Sequence, residues 1–211
     1  MWLLSAPDLG DLDADLTTAL TYADGNPVYA LTPDERTAIH TVYALYDATL
    51  GQPTPGLQAA ELHTVRPILS NSYGQVQING RLKGLRARLL ASTQACPYCG
   101  FGEVKDLDHY LPRSTYGELA IYPRNLIPSC GPCNNAKRTV HPGMPPAQGP
   151  GLIHTYYQEL PDADFLHADT SFAADGTLSV SFRVDNAAME PNLAAKLQFQ
   201  LTRLKLNKRY R

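Results

Sequence analysis

The chain of 211 residues is 44% hydrophobic and 18% charged, proportions that are ordinary for a globular protein. No apolar run approaches the roughly 18 residues that a membrane span requires, which argues against a membrane protein. The N-terminus lacks a basic segment and turns acidic at Asp8, so it does not resemble a secretory signal. We therefore expect a cytoplasmic protein with no membrane partner, organised as one compact unit of three segments.

The net charge of −2 hides a strong asymmetry along the chain. Residues 1–61 contain nine acidic side chains and one basic, whereas residues 62–211 contain seventeen basic and eleven acidic ones. Two stretches, 62–102 and 191–211, hold basic side chains and no acidic ones. Such stretches suit a phosphate backbone, but solvated helix faces give the same pattern, so charge alone leaves a nucleic-acid partner open.

Residues 1–93 are predicted to form a mainly helical N-terminal segment. A short apolar start leads into an acidic arm whose pattern allows a helix. Thr32 and Glu35 are spaced as a capping box with Pro33 in the first turn, which predicts a helix from there to Gly51. Apolar residues at helical spacing predict further helices over 57–69 and 82–93.

Residues 141–211 are predicted to form a C-terminal segment of mixed structure. Proline and glycine make 140–151 irregular, and residues 152–169 carry no clear pattern. His154, in this part, is expected to pack rather than to reach a site. Alternating apolar and polar residues predict a strand over 177–184, and Glu190-Pro191 opens a basic terminal helix that runs to Arg211.

All four cysteines lie in two CxxC pairs that are separated by thirty residues. Four thiolates so arranged can close a tetrahedral Zn²⁺ site with no position left for water, so this zinc would be structural. Disulfides are the alternative, which a cytoplasmic setting disfavours. The central segment, 94–140, is therefore predicted to be a loop that zinc ties at both ends. The expected ligands are Cys96, Cys99, Cys130 and Cys133.

Within this loop, Asp108 and His109 are adjacent on a predicted short strand, and Asn134 follows the last cysteine. A carboxylate and an amide oxygen are suitable ligands for a hard ion such as Mg²⁺. Asn134, Lys137 and Arg138 are spaced so that a short helix would place them on one face. Because neighbouring strand residues point to opposite faces, a bend or bulge is expected where Asp108 and His109 serve one site.

The order CxxC, DH, N, CxxCN and K in residues 96–137 resembles the HNH endonuclease family. The resemblance implies a zinc-stapled ββα-metal core that hydrolyses phosphodiester bonds with one catalytic divalent ion, Mg²⁺ or Mn²⁺. His109 matches the family's general base, and Asp108 and Asn134 match its ligands of the catalytic ion. Asn125 matches the asparagine that braces the loop. Asn134 stands where histidine is common, as in many HNN-type members.

The predicted fold class is accordingly α+β. A helical N-terminal segment leads into the central ββα-metal core, which a C-terminal strand and helix follow. Lys137, Arg138 and Arg113 are the side chains expected to contact substrate phosphate.

The flanking sequences DHYLPRSxYGE and IHTYYQELPDADFL resemble one bacterial branch of the family, whose members occur in phage-defence contexts. This implies a DNA endonuclease that acts as an anti-phage effector, with a protein partner such as an ATPase for targeting. A zinc-stapled nucleic-acid or protein-binding module without turnover is the alternative hypothesis. The motif favours the nuclease, because a binding module needs none of Asp108, His109 and Asn134.

Overall fold

The computed structural model describes residues 1–162, 164–185, 187 and 189–210. It combines helices with two small antiparallel sheets, which confirms the predicted α+β class. Ala163, in one of the flanking sequences, and Arg211, at the end of the predicted basic helix, lie outside the described residues.

The N-terminal segment contains four α-helices. The predicted capping box opens the second of them: the Glu35 N–H donates to Thr32 Oγ1 at 3.2 Å, and the Thr32 N–H donates to the Glu35 carboxylate at 2.8 Å. The fourth helix lies inside the predicted range 82–93. The helices are α1 (Leu12–Ala19), α2 (Pro33–Ala48), α3 (Arg66–Ser72) and α4 (Lys83–Leu90).

The single helix predicted over 57–69 is wrong. One 3-10 turn, Pro55–Leu57, ends at the predicted first residue, a second covers Ala60–Leu62, and α3 begins only at Arg66. Pro67 explains the difference, because a proline fits the first turn of a helix but removes a hydrogen bond from a helix interior.

The central segment contains the strands β1 (Asp106–His109) and β2 (Leu126–Ser129), followed by the helix α5 (Gly131–Lys137). The strands pair antiparallel without interruption, so the bulge expected at Asp108 is absent from β1. His109 is instead the last residue of its strand. The sequence order strand, strand, helix is the ββα arrangement that the motif implied.

The C-terminal segment holds a hairpin of β3 (Leu166–Phe172) and β4 (Leu178–Val184), then α6 (Pro191–Arg203) and α7 (Leu206–Arg209). β4 and α6 were predicted. β3 was missed because most of its side chains are exposed, so burial imposes no clear alternation on its sequence. The predicted terminal helix breaks at Lys205, whose φ of 54° lies in the left-handed region.

All three segments contribute to one hydrophobic core. The helices of the N-terminal segment supply residues such as Tyr46 and Leu69, the ββα unit supplies Leu107 and Ile127, and α6 supplies Leu201. Among the described residues, no helix is both long and apolar enough to cross a bilayer. The shared core holds the ββα unit between the N-terminal helices and the C-terminal segment.

Candidate active site and metal centre

The four cysteines converge on one buried point. Their Sγ atoms all lie within 4.8 Å of one another, and no pair of them forms a disulfide. Zinc–sulfur bonds of about 2.3 Å in a tetrahedron put neighbouring sulfurs about 3.8 Å apart. The Sγ atoms of Cys99 and Cys130, one from each CxxC pair, are 3.8 Å apart. The cluster therefore fits a structural zinc ion, which would tie the segment before β1 to the start of α5.

The C-terminal helix α7 lies against this thiol cluster, which the sequence did not predict. The guanidinium of Arg209 donates to the sulfurs of Cys133 at 3.1 Å and Cys130 at 3.5 Å. The hydroxyl of Tyr210 donates to the Cys99 carbonyl at 2.9 Å. Four thiolates around a Zn²⁺ ion would carry two net negative charges, and the Arg209 cation would offset part of this charge and orient the ligands.

Arg209→Gln is therefore expected to speed zinc loss to a chelator by about 10-fold or more while the protein stays folded. The rate is measured by the colour of a zinc-binding dye added to the zinc-loaded protein. Arg203→Gln is a matched control, because Arg203 is a nearby arginine that does not contact a sulfur. Equal zinc release from wild type and Arg209→Gln would contradict the role of Arg209.

A cavity of about 490 Å³ opens beside the loop that joins the two cysteine pairs. It brings together most of the residues expected to do chemistry: Asp108, His109, Asn134, Arg113 and Arg138 all line it. Residues with no predicted role line it as well. They are Ser70, Tyr73, Gln77, Arg86, Asp106, Leu107, Pro112, Ser114 and Thr139.

His109 is held as a neutral base with one free nitrogen. Its Nε2 lies 2.9 Å from the carbonyl oxygen of Ala120. Its ring packs edge-on against the Tyr73 ring, with 4.3 Å between the ring centroids. A carbonyl oxygen only accepts, so Nε2 carries the proton and Nδ1 keeps its lone pair. Burial lowers the pKa of His109 to about 3. The imidazole is thus an uncharged acceptor at neutral pH.

Asp108 is 2% exposed and does not stand alone. The Tyr98 hydroxyl donates to its Oδ2 at 2.8 Å, and the Lys137 ammonium lies 3.0 Å from the same oxygen. Burial raises the pKa of the Asp108 carboxyl, while Lys137 and Tyr98 act in the opposite direction. A carboxylate has about four lone-pair positions, so these two partners leave room for a further ligand.

Lys137 lies elsewhere than its helical spacing predicted. It is 0% exposed, does not line the cavity, and donates to the His109 carbonyl at 2.6 Å. The physical reason is the buried Asp108 carboxylate, which needs a positive partner inside the protein. Arg138 also departs from prediction, since it lies just past the end of α5 with φ 54° and ψ −126°. It still reaches the cavity.

Asp106 lines the same cavity, although its sequence context predicted no role for it. Its Oδ2 accepts a hydrogen bond from the Asn134 amide Nδ2 at 3.4 Å. Because Nδ2 is the atom used, the Asn134 Oδ1 is left available as a metal ligand. The signal was present, because strand residues two apart share a face and Asp106 precedes Asp108 by two. The cavity thus offers two carboxylates and one amide oxygen, a donor set suited to a hard divalent ion.

Asn125 is fully buried behind the cavity and holds the loop that follows β1. Its Oδ1 accepts from the Leu111 N–H at 2.8 Å, and its Nδ2 donates to the Leu111 carbonyl at 3.0 Å. The Tyr46 hydroxyl donates to the same Oδ1 at 3.1 Å. This geometry suits the bracing role implied for Asn125.

His154 is buried in the same network, as predicted for a packing residue. Both of its ring nitrogens also form hydrogen bonds. Its Nδ1 accepts from the Tyr156 N–H at 3.2 Å, so its Nε2 carries the proton and donates to the Tyr46 hydroxyl at 2.8 Å. Burial lowers the pKa of His154 to about 3, which keeps the ring neutral. Tyr46 and His154 thereby connect α2 and the C-terminal segment to Asn125.

The basic stretch 62–102 is largely occupied by internal contacts. Arg66 donates to Glu118 at 2.6 Å, Arg81 donates to the Thr21 carbonyl at 2.6 Å, and Arg86 bonds to the Lys105 carbonyl. These contacts hold α3 and α4 in place. The charge pattern of this stretch is therefore weak evidence for a nucleic-acid partner, because most of its arginines form contacts within the protein.

Residues 96–139 match the family model described as HNH endonuclease, so this stretch is an HNH endonuclease domain. The chain is also similar to Protein ea31 of Escherichia phage lambda, with 43% identity over 51 residues that cover 24% of this chain and 17% of that protein. It is similar to the Septu protein PtuB of Bacillus thuringiensis, with 38% identity over 58 residues that cover 25% of this chain and 23% of that protein. The chain thus spans about a fifth of the length of these curated relatives. No solved structure shows a comparable match.

Proposed function

We propose that this protein is a metal-dependent endonuclease that hydrolyses phosphodiester bonds of DNA, with His109 as the general base. One observation carries the proposal: within the HNH-matching stretch, a neutral imidazole shares a cavity with the Asp108 carboxylate and the Asn134 amide. A base, oxygen ligands and nearby arginines are what phosphodiester hydrolysis requires.

In this mechanism His109 Nδ1 accepts a proton from a water molecule, which then attacks the phosphorus and displaces the 3′ oxygen. The hydrogen bond from Nε2 to the Ala120 carbonyl fixes the ring and stabilises the imidazolium as it forms. Arg113 and Arg138 bind the phosphate from the cavity wall. Arg113 is itself fixed by donation to the Ser70 carbonyl at 2.7 Å.

Asp108 and Asn134 would hold a divalent ion, Mg²⁺ or Mn²⁺, whose chemistry when bound is to stabilise negative charge on the phosphate and the leaving oxygen. Lys137 and Tyr98 orient the Asp108 carboxylate and lower its pKa against the effect of burial. Asp106 orients the Asn134 amide in the same way. The four cysteines would hold a structural Zn²⁺ that takes no part in the chemistry.

The proposed setting is anti-phage defence in the bacterial cytoplasm. Support comes from the similarity to the Septu protein PtuB and from the flanking sequences of the defence-associated branch. A nuclease in such a setting would need control of where it cuts. We therefore include a targeting partner, such as an ATPase, in the proposal.

The test is incubation of the purified chain with supercoiled plasmid DNA and either Mg²⁺ or Mn²⁺. The expected result is conversion to nicked and linear forms, which EDTA stops and added Mg²⁺ or Mn²⁺ restores. Salt-dependent DNA binding without cleavage under any divalent ion would overturn the nuclease and favour a binding module. A chain that neither binds nor cleaves DNA or RNA would contradict the nuclease and the nucleic-acid-binding module and leave a protein-binding module.

A further inference from the structure

A second cavity, of about 530 Å³, lies between α5 and the C-terminal helices α6 and α7. Five of the nine described residues that line it are basic and none is acidic. The lining residues are Pro132, Asn135, Ala136, Arg138, Arg203, Leu204, Lys205, Lys208 and Arg209. We call this cavity the basic groove.

Two of these five basic side chains form hydrogen bonds within the protein. Arg209 bonds to the zinc-site sulfurs, and Arg203 donates to the Lys137 carbonyl at 3.4 Å. Arg138, Lys205 and Lys208 are exposed, and none of the ion pairs found among the described residues involves them. Three like charges around one groove without a counter-charge attract a polyanion.

The backbone adds an independent observation. Arg138 and Lys205 both have a φ of 54°, in the left-handed region that side chains other than glycine rarely adopt. Leu50 is the remaining such residue apart from glycine among those described. Arg138 directly follows α5, and Lys205 lies between α6 and α7. The change of chain direction at each residue places a basic side chain at the groove.

The basic groove is also continuous with the candidate active site. Arg138 lines both cavities, so it stands between His109 on one side and Lys205 and Lys208 on the other. A ligand that follows the three free cations therefore arrives at the cavity where cleavage is proposed.

We propose that the basic groove binds the phosphodiester backbone of a nucleic-acid strand next to the bond that is cut. This rests on the proposed nuclease function, because the groove leads into that site. A regularly charged backbone fits a groove whose free polar groups are cations and one exposed amide, Asn135. The contacts go to phosphate and carry no sequence information.

The experiment measures binding with the cleavage step disabled. The full chain carrying His109→Ala, without divalent ion, is titrated against fluorescent duplex DNA, single-stranded DNA and RNA over a range of salt concentrations. Lys205→Gln/Lys208→Gln in this background is expected to weaken binding by about 10-fold and to reduce the salt slope on duplex DNA by about 1.8. The control, Lys83→Gln/Lys196→Gln, removes two lysines that line neither cavity and should change affinity less than twofold.

The outcomes distinguish a failure of the basic groove from a failure of the proposed nuclease function. Unchanged binding by Lys205→Gln/Lys208→Gln would overturn the groove, and equal weakening by the control pair would show that net charge alone is responsible. If the otherwise wild-type chain cleaves DNA while the groove variant binds and cleaves equally well, the nuclease stands and the groove fails. If the groove variant weakens binding but no divalent ion gives cleavage, the groove stands and the nuclease fails. Tighter binding of duplex DNA, single-stranded DNA or RNA identifies which of these nucleic acids the groove binds.

Discussion

His109→Ala is expected to lower the rate of metal-dependent DNA cleavage by about 10²–10⁴-fold, the contribution typical of a positioned general base. The expectation rests on the free Nδ1 of His109, which faces no competing partner among the described hydrogen bonds and stays unprotonated at neutral pH. Alanine leaves the Ala120 carbonyl and the Tyr73 ring in place but removes the acceptor. Cleavage is followed under single-turnover conditions so that product release does not mask the loss.

The interpretation depends on the rest of the molecule staying intact. Zinc content per chain should match the wild type and unfolding should stay a single transition, because no described hydrogen bond of the His109 side chain involves a cysteine or Asn125. The lost contacts to Tyr73 and to the Ala120 carbonyl lower only the unfolding midpoint. His63→Ala is the matched control, since His63 is exposed and lines neither cavity. Cleavage by His109→Ala at the wild-type rate would show that another group activates water.

Local rules in the sequence predicted much of the fold. The capping box at Thr32 and Glu35 marked the start of α2 correctly, because cap residues act within one helical turn. The alternation in β4 and the apolar face of α6 likewise reflect neighbours close in sequence. The cysteine spacing also predicted a contact between positions far apart in the sequence. Four thiols that bind one tetrahedral metal ion must meet at one point, so both ends of the loop must lie together.

Contacts between distant parts of the chain could not be predicted in this way. Tyr46 and His154 reach Asn125 from α2 and from the C-terminal segment, and no periodic pattern records such a meeting. Arg209 reaches the cysteines from the end of the chain for the same reason. Helical spacing placed Asn134, Lys137 and Arg138 on one face, but it could not tell that Lys137 would turn inward to a buried carboxylate.

Lys137→Met is expected to lower the free energy of unfolding by about 3–5 kcal/mol, because it leaves the Asp108 carboxylate buried without a cation. Methionine keeps the length and apolar character of the stem, so the packing of α5 against β1 is retained. The change is measured by urea denaturation of the zinc-loaded protein. Asp108→Asn/Lys137→Met should recover part of the loss, which a double-mutant cycle reports as a coupling of about 1–3 kcal/mol.

The same variants decide between the two roles for Lys137, because helical spacing predicted a phosphate contact and the structure provides an ion pair. A phosphate contact would leave stability unchanged in Lys137→Met and weaken DNA binding instead. Arg138→Gln provides that pattern as a control, since Arg138 is exposed at the cavity and its loss should alter stability by less than about 0.5 kcal/mol. If Lys137→Met behaves like Arg138→Gln, the buried pair is not what holds Asp108. If it unfolds early and the double variant recovers, Lys137 acts on the site by keeping a ligand carboxylate charged inside the protein.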